Sequence, residues 1–98
     1  VAPERFFLHP SASRDLRSAT KRYREHGQDI AADFVRAVDD AIARIVAAPQ
    51  RWPLKDRWRR YYLKRFPFTI AYRERGEVIE IGAVAHQKRR PDYWTRAR

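Results

Sequence analysis

The chain has 98 residues, enough for one domain, and its 22 lysines and arginines against 12 acids give a net charge of +10. A domain this small buries roughly 60–65% of its unfolded surface, so long basic side chains must lie over a thin apolar core. Cysteine is absent, which excludes disulfides and thiolate metal sites. His9, His26 and His86 stand at unrelated spacings, and neither a metal nor a cofactor is expected. No run of 18 apolar residues is present, which excludes a helical membrane span. No leader-like segment opens the sequence, and a cytosolic protein is expected.

The charge is lopsided. Residues 1–50 carry 8 basic and 7 acidic groups, whereas residues 51–98 carry 14 basic and 5 acidic. A half that is nearly neutral beside a half at +9 points to a polyanionic partner, either nucleic acid or an acidic protein segment.

Arg5–Leu8 is a short apolar run stopped by His9 and Pro10, and reads as an opening strand. Ser11 or Ser13 can cap a helix in which Ala12, Leu16, Ala19 and Tyr23 share one face, while Arg14, Arg17, Lys21, Arg22 and Arg24 occupy the other. Gly27 ends it. Asp29 can cap a second helix, in which Ile30, Phe34, Val38, Ile42 and Ile45 form a core stripe closed by Pro49. The short link makes the pair an antiparallel hairpin, and two such stripes need a sheet to lie on.

Residues 50–60 hold a proline and many charges and read as a loop. Tyr61–Phe66, Phe68–Glu74 and Glu77–Ala85 are rich in aromatic and β-branched residues and read as strands. Arg75 and Gly76 form a tight hairpin turn between the last two. The expected architecture is a single α+β domain spanning 1–98. Its parts are an N-terminal strand, an antiparallel helical hairpin and a three-stranded antiparallel meander, in a twisted sheet with the helices on one face.

That order is joined by particular residues: His9-Pro10-Ser11-Ala12 before the first helix, Asp15-Leu16 within it, and Pro49 after the second. Arg60-Tyr61-Tyr62-Leu63-Lys64-Arg65-Phe66-Pro67-Phe68 then leads to Ile70 and Tyr72. The chain finishes with Ala83-Val84-Ala85-His86-Gln87-Lys88-Arg89-Arg90-Pro91 and Tyr93-Trp94-Thr95-Arg96. Together they resemble the RelE/ParE superfamily of toxins from type II toxin–antitoxin modules, in its ParE-like branch of plasmid-stabilisation proteins. The resemblance implies a growth-arresting toxin in a twisted antiparallel sheet, wrapped by the C-terminal segment of an antitoxin encoded beside it. It also implies one of two targets. ParE-type members poison DNA gyrase by binding, and RelE-type members cut messenger RNA on the ribosome. Fold cannot choose between them.

RNA cleavage needs cations at the scissile phosphate and a group that moves protons. Arg60, Lys64, Arg65, Arg73 and His86 are the candidates for that chemistry. His86 also has a structural reading, fastening the last strand to the tail, and this is preferred because the ParE-like tail carries the same histidine. Gyrase inhibition without catalysis is therefore the leading expectation and the ribonuclease the alternative. A small nucleic-acid-binding module is a third reading. Lys88, Arg89, Arg90, Trp94 and Arg96 are the candidate target contacts, with a solvated loop as the plainer reading of the basic run. Arg57, Arg59, Arg60 and Arg73 are the candidate contacts to an acidic antitoxin, which their charge would attract. The Arg57–Tyr62 mixture of cations and aromatics suits base stacking, but suits cation–π packing over a thin core better.

Overall fold

The computed structural model describes residues 5–88. Its elements in chain order are β1 (Phe6–Leu8), α1 (Pro10–Arg24), α2 (Gln28–Ala47), a 3₁₀ turn at Pro49–Arg51, β2 (Leu54–Lys55), β3 (Trp58–Tyr62), β4 (Phe68–Arg75) and β5 (Val78–His86). The five strands form one sheet in the order β1-β5-β4-β3-β2. The expected helical hairpin and three-stranded meander are both present.

The sheet is mixed rather than wholly antiparallel. β1 runs parallel to β5, with Phe6 opposite Ile79 and Leu8 opposite Ile81. The two helices between β1 and the meander supply the long crossover that a parallel neighbour requires.

The helix ends differ in detail from the expectation. His9 caps α1, its Nδ1 accepting the Ser11 backbone N–H at 3.1 Å, and Pro10 takes the first turn, where its missing donor costs nothing. Neither Ser11 nor Ser13 is the cap. Gly27 stands at the N-cap of α2 with φ 140°, a conformation that favours glycine, and Asp29 falls in the first turn, where its charge suits the helix dipole.

Residues 50–60 are not simply a loop. They contain β2 and the start of β3, joined by a two-residue turn at Asp56 and Arg57 with φ 53° and 74°. Two successive positive φ values match the twist of a hairpin, but the position normally calls for Asn-Gly. Without glycine there, the turn leaves no trace in the composition. The following strand ends at Tyr62 instead of Phe66. Residues 63–67 loop back, Leu63 N–H donating to the Phe68 carbonyl at 2.9 Å, with Leu63 and Phe66 still buried. The β4–β5 turn is one residue later than expected, at Gly76 and Glu77, with Arg75 opposite Val78 and Gly76 at φ 63°.

The helices cover one face of the sheet. Phe34, Val38, Ile42 and Ile45 of α2 are buried against a core that includes Ile70, Tyr72, Ile81 and Val84. Each such side chain contributes about 1.5–3 kcal/mol. Ile30, the first residue of the stripe, is exposed. Tyr23 joins Phe34, Phe66 and Phe68 in an aromatic cluster with centroids 5.0–6.2 Å apart. The Tyr72 hydroxyl donates to the Pro49 carbonyl at 2.6 Å and ties the sheet to the end of α2. Burial pushes its pKa up to about 12 against the lowering effect of Arg59.

The other face carries a small second cluster of Trp58, Ala71, Ala83 and Ala85. A β-bulge makes it possible. Tyr72 pairs with Ile81 and Ala71 with Ala83, so Gly82 is an extra residue in β5. Before it, Ile79 and Ile81 belong to the helix-side core; after it, Val84 does, and Ala83 and Ala85 turn to the other face. A side-chain carbon at Gly82 would overlap the indole of Trp58. Trp58 is itself buried, so the ring has little room to yield. Gly82→Ala is therefore expected to destabilise the fold by about 1–3 kcal/mol, with partial recovery in the double variant carrying Trp58→Phe. Urea denaturation measures both, and a single-variant loss under about 0.5 kcal/mol would contradict the steric account.

Candidate functional site

The open face of the sheet is built upward from Gly82. With no side chain at the bulge, the indole of Trp58 lies over the β5 backbone. The guanidinium of Arg73, on β4, sits 4.4 Å from the centre of that ring, well inside cation–π range. The register of the β4–β5 hairpin places Arg73 opposite Glu80. Glu80 Oε1 accepts from Arg73 Nε at 2.7 Å and from Arg75 Nη1 at 3.2 Å. Glu80 is the buried charged residue among the described residues, only 3% exposed. Burial alone would push its carboxyl up, but the hydrogen bonds and charges of Arg73 and Arg75 outweigh this and hold it below its ordinary value.

Arg73 is thus gripped by its Nε edge and by one face of its plane. Its terminal Nη1 and Nη2 make no hydrogen bond or ion pair with the described residues, and the side chain is 30% exposed. A planar fork held this way is suited to receive a carboxylate or phosphate.

The other candidates are distributed as follows. Arg59 lies on the helix side of β3, where Nη1 donates to the carbonyls of Trp52 at 2.8 Å and Gln50 at 3.3 Å, with Glu74 at 3.8 Å. It braces the segment before β2. Arg60 shares the open face with Trp58 and donates to the carbonyls of Lys55 at 3.1 Å and Trp58 at 3.4 Å. Arg57 is exposed at the β2–β3 turn. Arg65 lies 3.8 Å from Asp33 on α2 and 5.8 Å from the ring of Phe66. Lys64 lines a cleft beside the end of α2.

His86 is on the helix side. Its ring meets the edge of Phe68 at 5.1 Å, and its Nδ1 accepts the Lys88 backbone N–H at 3.0 Å. The cavity it lines is shared with Asp15, Ala19 and Arg22 of α1. Arg73 and His86 therefore look out from opposite faces of one sheet. Lys88 is exposed at the end of the described chain, and Arg89, Arg90, Trp94 and Arg96 lie outside the described residues. Trp58 and Tyr61 are buried in the two cores, as packing rather than base stacking would have them, and Tyr62 is exposed. No group of three His, Asp or Glu able to hold a metal occurs among the described residues, and no described helix is long and apolar enough to cross a membrane.

Glu80 and Gly82 were not singled out by sequence reasoning, which marked Arg75 only as a turn residue and Trp58 only within the Arg57–Tyr62 mixture of cations and aromatics. Two signals were available. Once the turn is set at Gly76 and Glu77, counting back pairs Arg73 with Glu80. The apolar alternation of Val78–His86 also breaks at Gly82. Asp15, marked in the sequence only as part of the resemblance, accepts the Val84 backbone N–H with its carboxylate at 3.1 Å, just beyond the point where β1 stops pairing with β5.

Because Glu80 is held in its charged form, its contribution to stability is fully present above the ordinary carboxylate range and is lost as pH falls through its lowered value. Glu80→Gln is expected to cost about 1–2 kcal/mol at neutral pH, and the gap to the unaltered protein should shrink as pH falls below the ordinary carboxylate range and through the lowered Glu80 value. Urea melts at neutral and at acidic pH measure this; an equal gap at both would show that the carboxylate charge is not its source.

The model of the ParE toxin of the type II toxin–antitoxin system parDE matches residues 6–91. Toxin ParE2 of Mycobacterium tuberculosis, from strain CDC 1551 / Oshkosh and from strain ATCC 25618 / H37Rv, is 32% identical over 90 residues, which cover 90% of this chain and 86% of the relative. A solved chain of the chromosomal ParDE TA system from P. aeruginosa superposes with a TM-score of 0.72 at 21% identity, covering 83% of this chain and 92% of the other; that likeness speaks for the fold. The chain belongs to the ParE toxin family and is the toxin of a type II ParDE toxin–antitoxin system.

Proposed function

We propose that the protein arrests growth by binding DNA gyrase, without chemistry of its own, and that an acidic antitoxin neutralises it by engaging the Arg73 face of the sheet. What supports binding over catalysis is the separation of Arg73 from His86 by the sheet itself. Phosphodiester cleavage needs the proton-transfer group and the charge-stabilising cations around one phosphate, and the backbone sets these two on opposite faces. Arg65, turned toward Asp33 of α2, is likewise away from Arg73.

The antitoxin contact follows from the stacked guanidinium. A carboxylate from the partner would complete the fork that Glu80 leaves open, with Arg57, Arg59 and Arg60 adding to the field that draws an acidic segment inward. The basic tail, through Lys88, Arg89, Arg90, Trp94 and Arg96, is the proposed target contact.

Gyrase supercoiling and DNA-cleavage assays with the purified full chain test the target. Inhibition is expected, and unchanged supercoiling at high molar excess would remove gyrase. Codon-phased cuts in primer extension on translated messages, lost in His86→Ala, would establish the ribonuclease reading instead. Arg73→Ala is expected to weaken antitoxin binding by roughly tenfold or more, from the loss of a charge-assisted contact, while the Arg89→Ala and Arg90→Ala pair lowers gyrase inhibition. The reverse pattern would exchange the two surfaces.

A further inference from the structure

Beyond the Arg73 face, a second cationic feature lies where α2 ends. Arg44 in the last turn of α2, Arg51 in the 3₁₀ turn and Lys64 after β3 converge on one cavity of about 310 Å³. Its remaining walls include Trp52, Tyr61 and Tyr62. That volume is at the lower end of the range for small-molecule sites, roughly 300–1,000 Å³.

None of the three cations has an acidic partner among the described residues. Nor does Arg44 or Arg51 donate a side-chain hydrogen bond to the carbonyls that end α2, the role that basic residues often take there. Arg51 instead lies 5.6 Å from the ring of Trp52. Trp52 and Tyr61 meet at 4.9 Å and form an aromatic wall, and Tyr62 is 59% exposed. Three positive charges held together without a counter-charge repel one another, and a bound anion would relieve that repulsion.

The aromatic rings decide which anion. A glutamate or aspartate side chain would satisfy the cations and leave the ring faces wet. A nucleotide uses both features at once, its base stacking on an exposed ring while its phosphate meets the cations. We propose that this cavity is a binding site for a nucleotide unit of single-stranded nucleic acid, with Tyr62 as the stacking platform and Arg44, Arg51 and Lys64 as the phosphate contacts. The site is independent of the gyrase reading: its ring wall and cations lie at the far end of β3 and α2, away from the Arg73 fork.

The test is fluorescence anisotropy of a labelled thymidylate hexanucleotide titrated with the purified full chain across a range of salt. Tyr62→Ala is expected to weaken binding by about 5- to 100-fold. Tyr62→Leu, which keeps a bulky strand-compatible side chain, should weaken it similarly and covers the case in which the alanine variant fails to fold. Arg44→Ala and Lys64→Ala should each reduce the slope of log affinity against log salt by about 0.7. Arg17→Ala, on the exposed face of α1, should reduce it by less than half as much. Binding that stays within twofold in both Tyr62 variants would overturn the proposal. So would an Arg17→Ala effect as large as that of Arg44→Ala, since the attraction would then be diffuse. A ten-residue polyglutamate peptide that binds more tightly than the hexanucleotide, with the same Tyr62 dependence, would assign the cavity to acidic protein and would also overturn it.

Discussion

A strand has a period of two, and β5 breaks it. Ile79 and Ile81 must reach the helix-side core, and so must Val84, three residues further on. A regular strand cannot send both 81 and 84 to one face. The extra residue at Gly82 resolves the conflict, and its lack of a side chain admits the indole of Trp58. Thus one backbone irregularity lets the longest strand fill the helix-side core along its length while giving the opposite face a core of its own. The stacked Arg73 depends on that indole and stands opposite Glu80, one residue before the isoleucine at which the bulge begins.

Wherever side-chain period and chain punctuation agreed, the fold was legible in the sequence. The stripe from Phe34 to Ile45, the opening strand before His9-Pro10 and the β4–β5 hairpin all follow from patterns of 3.6 or 2 residues bounded by glycine or proline. What escaped did so for local reasons. The β2–β3 turn uses Asp56 and Arg57 at positive φ, where no glycine marks it. Tyr61–Phe66 looks strand-like because Leu63 and Phe66 are apolar, yet these two are buried from a loop. The parallel pairing of β1 depends on contacts more than 70 residues apart in sequence, and no local pattern records them.

The candidate site was partly legible for a related reason. Residue type marked Arg73 and His86, but type does not say which face a side chain takes. In a strand that is a question of parity, and the bulge sits between Glu80, on the Arg73 side, and His86, on the helix side. Counting from Glu80 without the bulge would put His86 on the same face as Arg73 and would gather a constellation that the backbone divides.

The cations also differ in how free they are, and this matters more than their number. Arg59 and Arg60 spend guanidinium donors on backbone carbonyls. Arg65 answers Asp33, and Arg75 answers Glu80. A high net charge raises the rate at which a polyanion arrives, whichever residues carry it. Where it comes to rest is decided by cations already held in place. Arg73, fixed by a ring on one side and a carboxylate on its Nε edge, has already lost much of the side-chain freedom that binding would otherwise remove. A flexible lysine on an exposed helix has not. The asymmetry in the sequence accounts for attraction, and the rigidity given by Trp58 and Glu80 accounts for selecting one point on that surface.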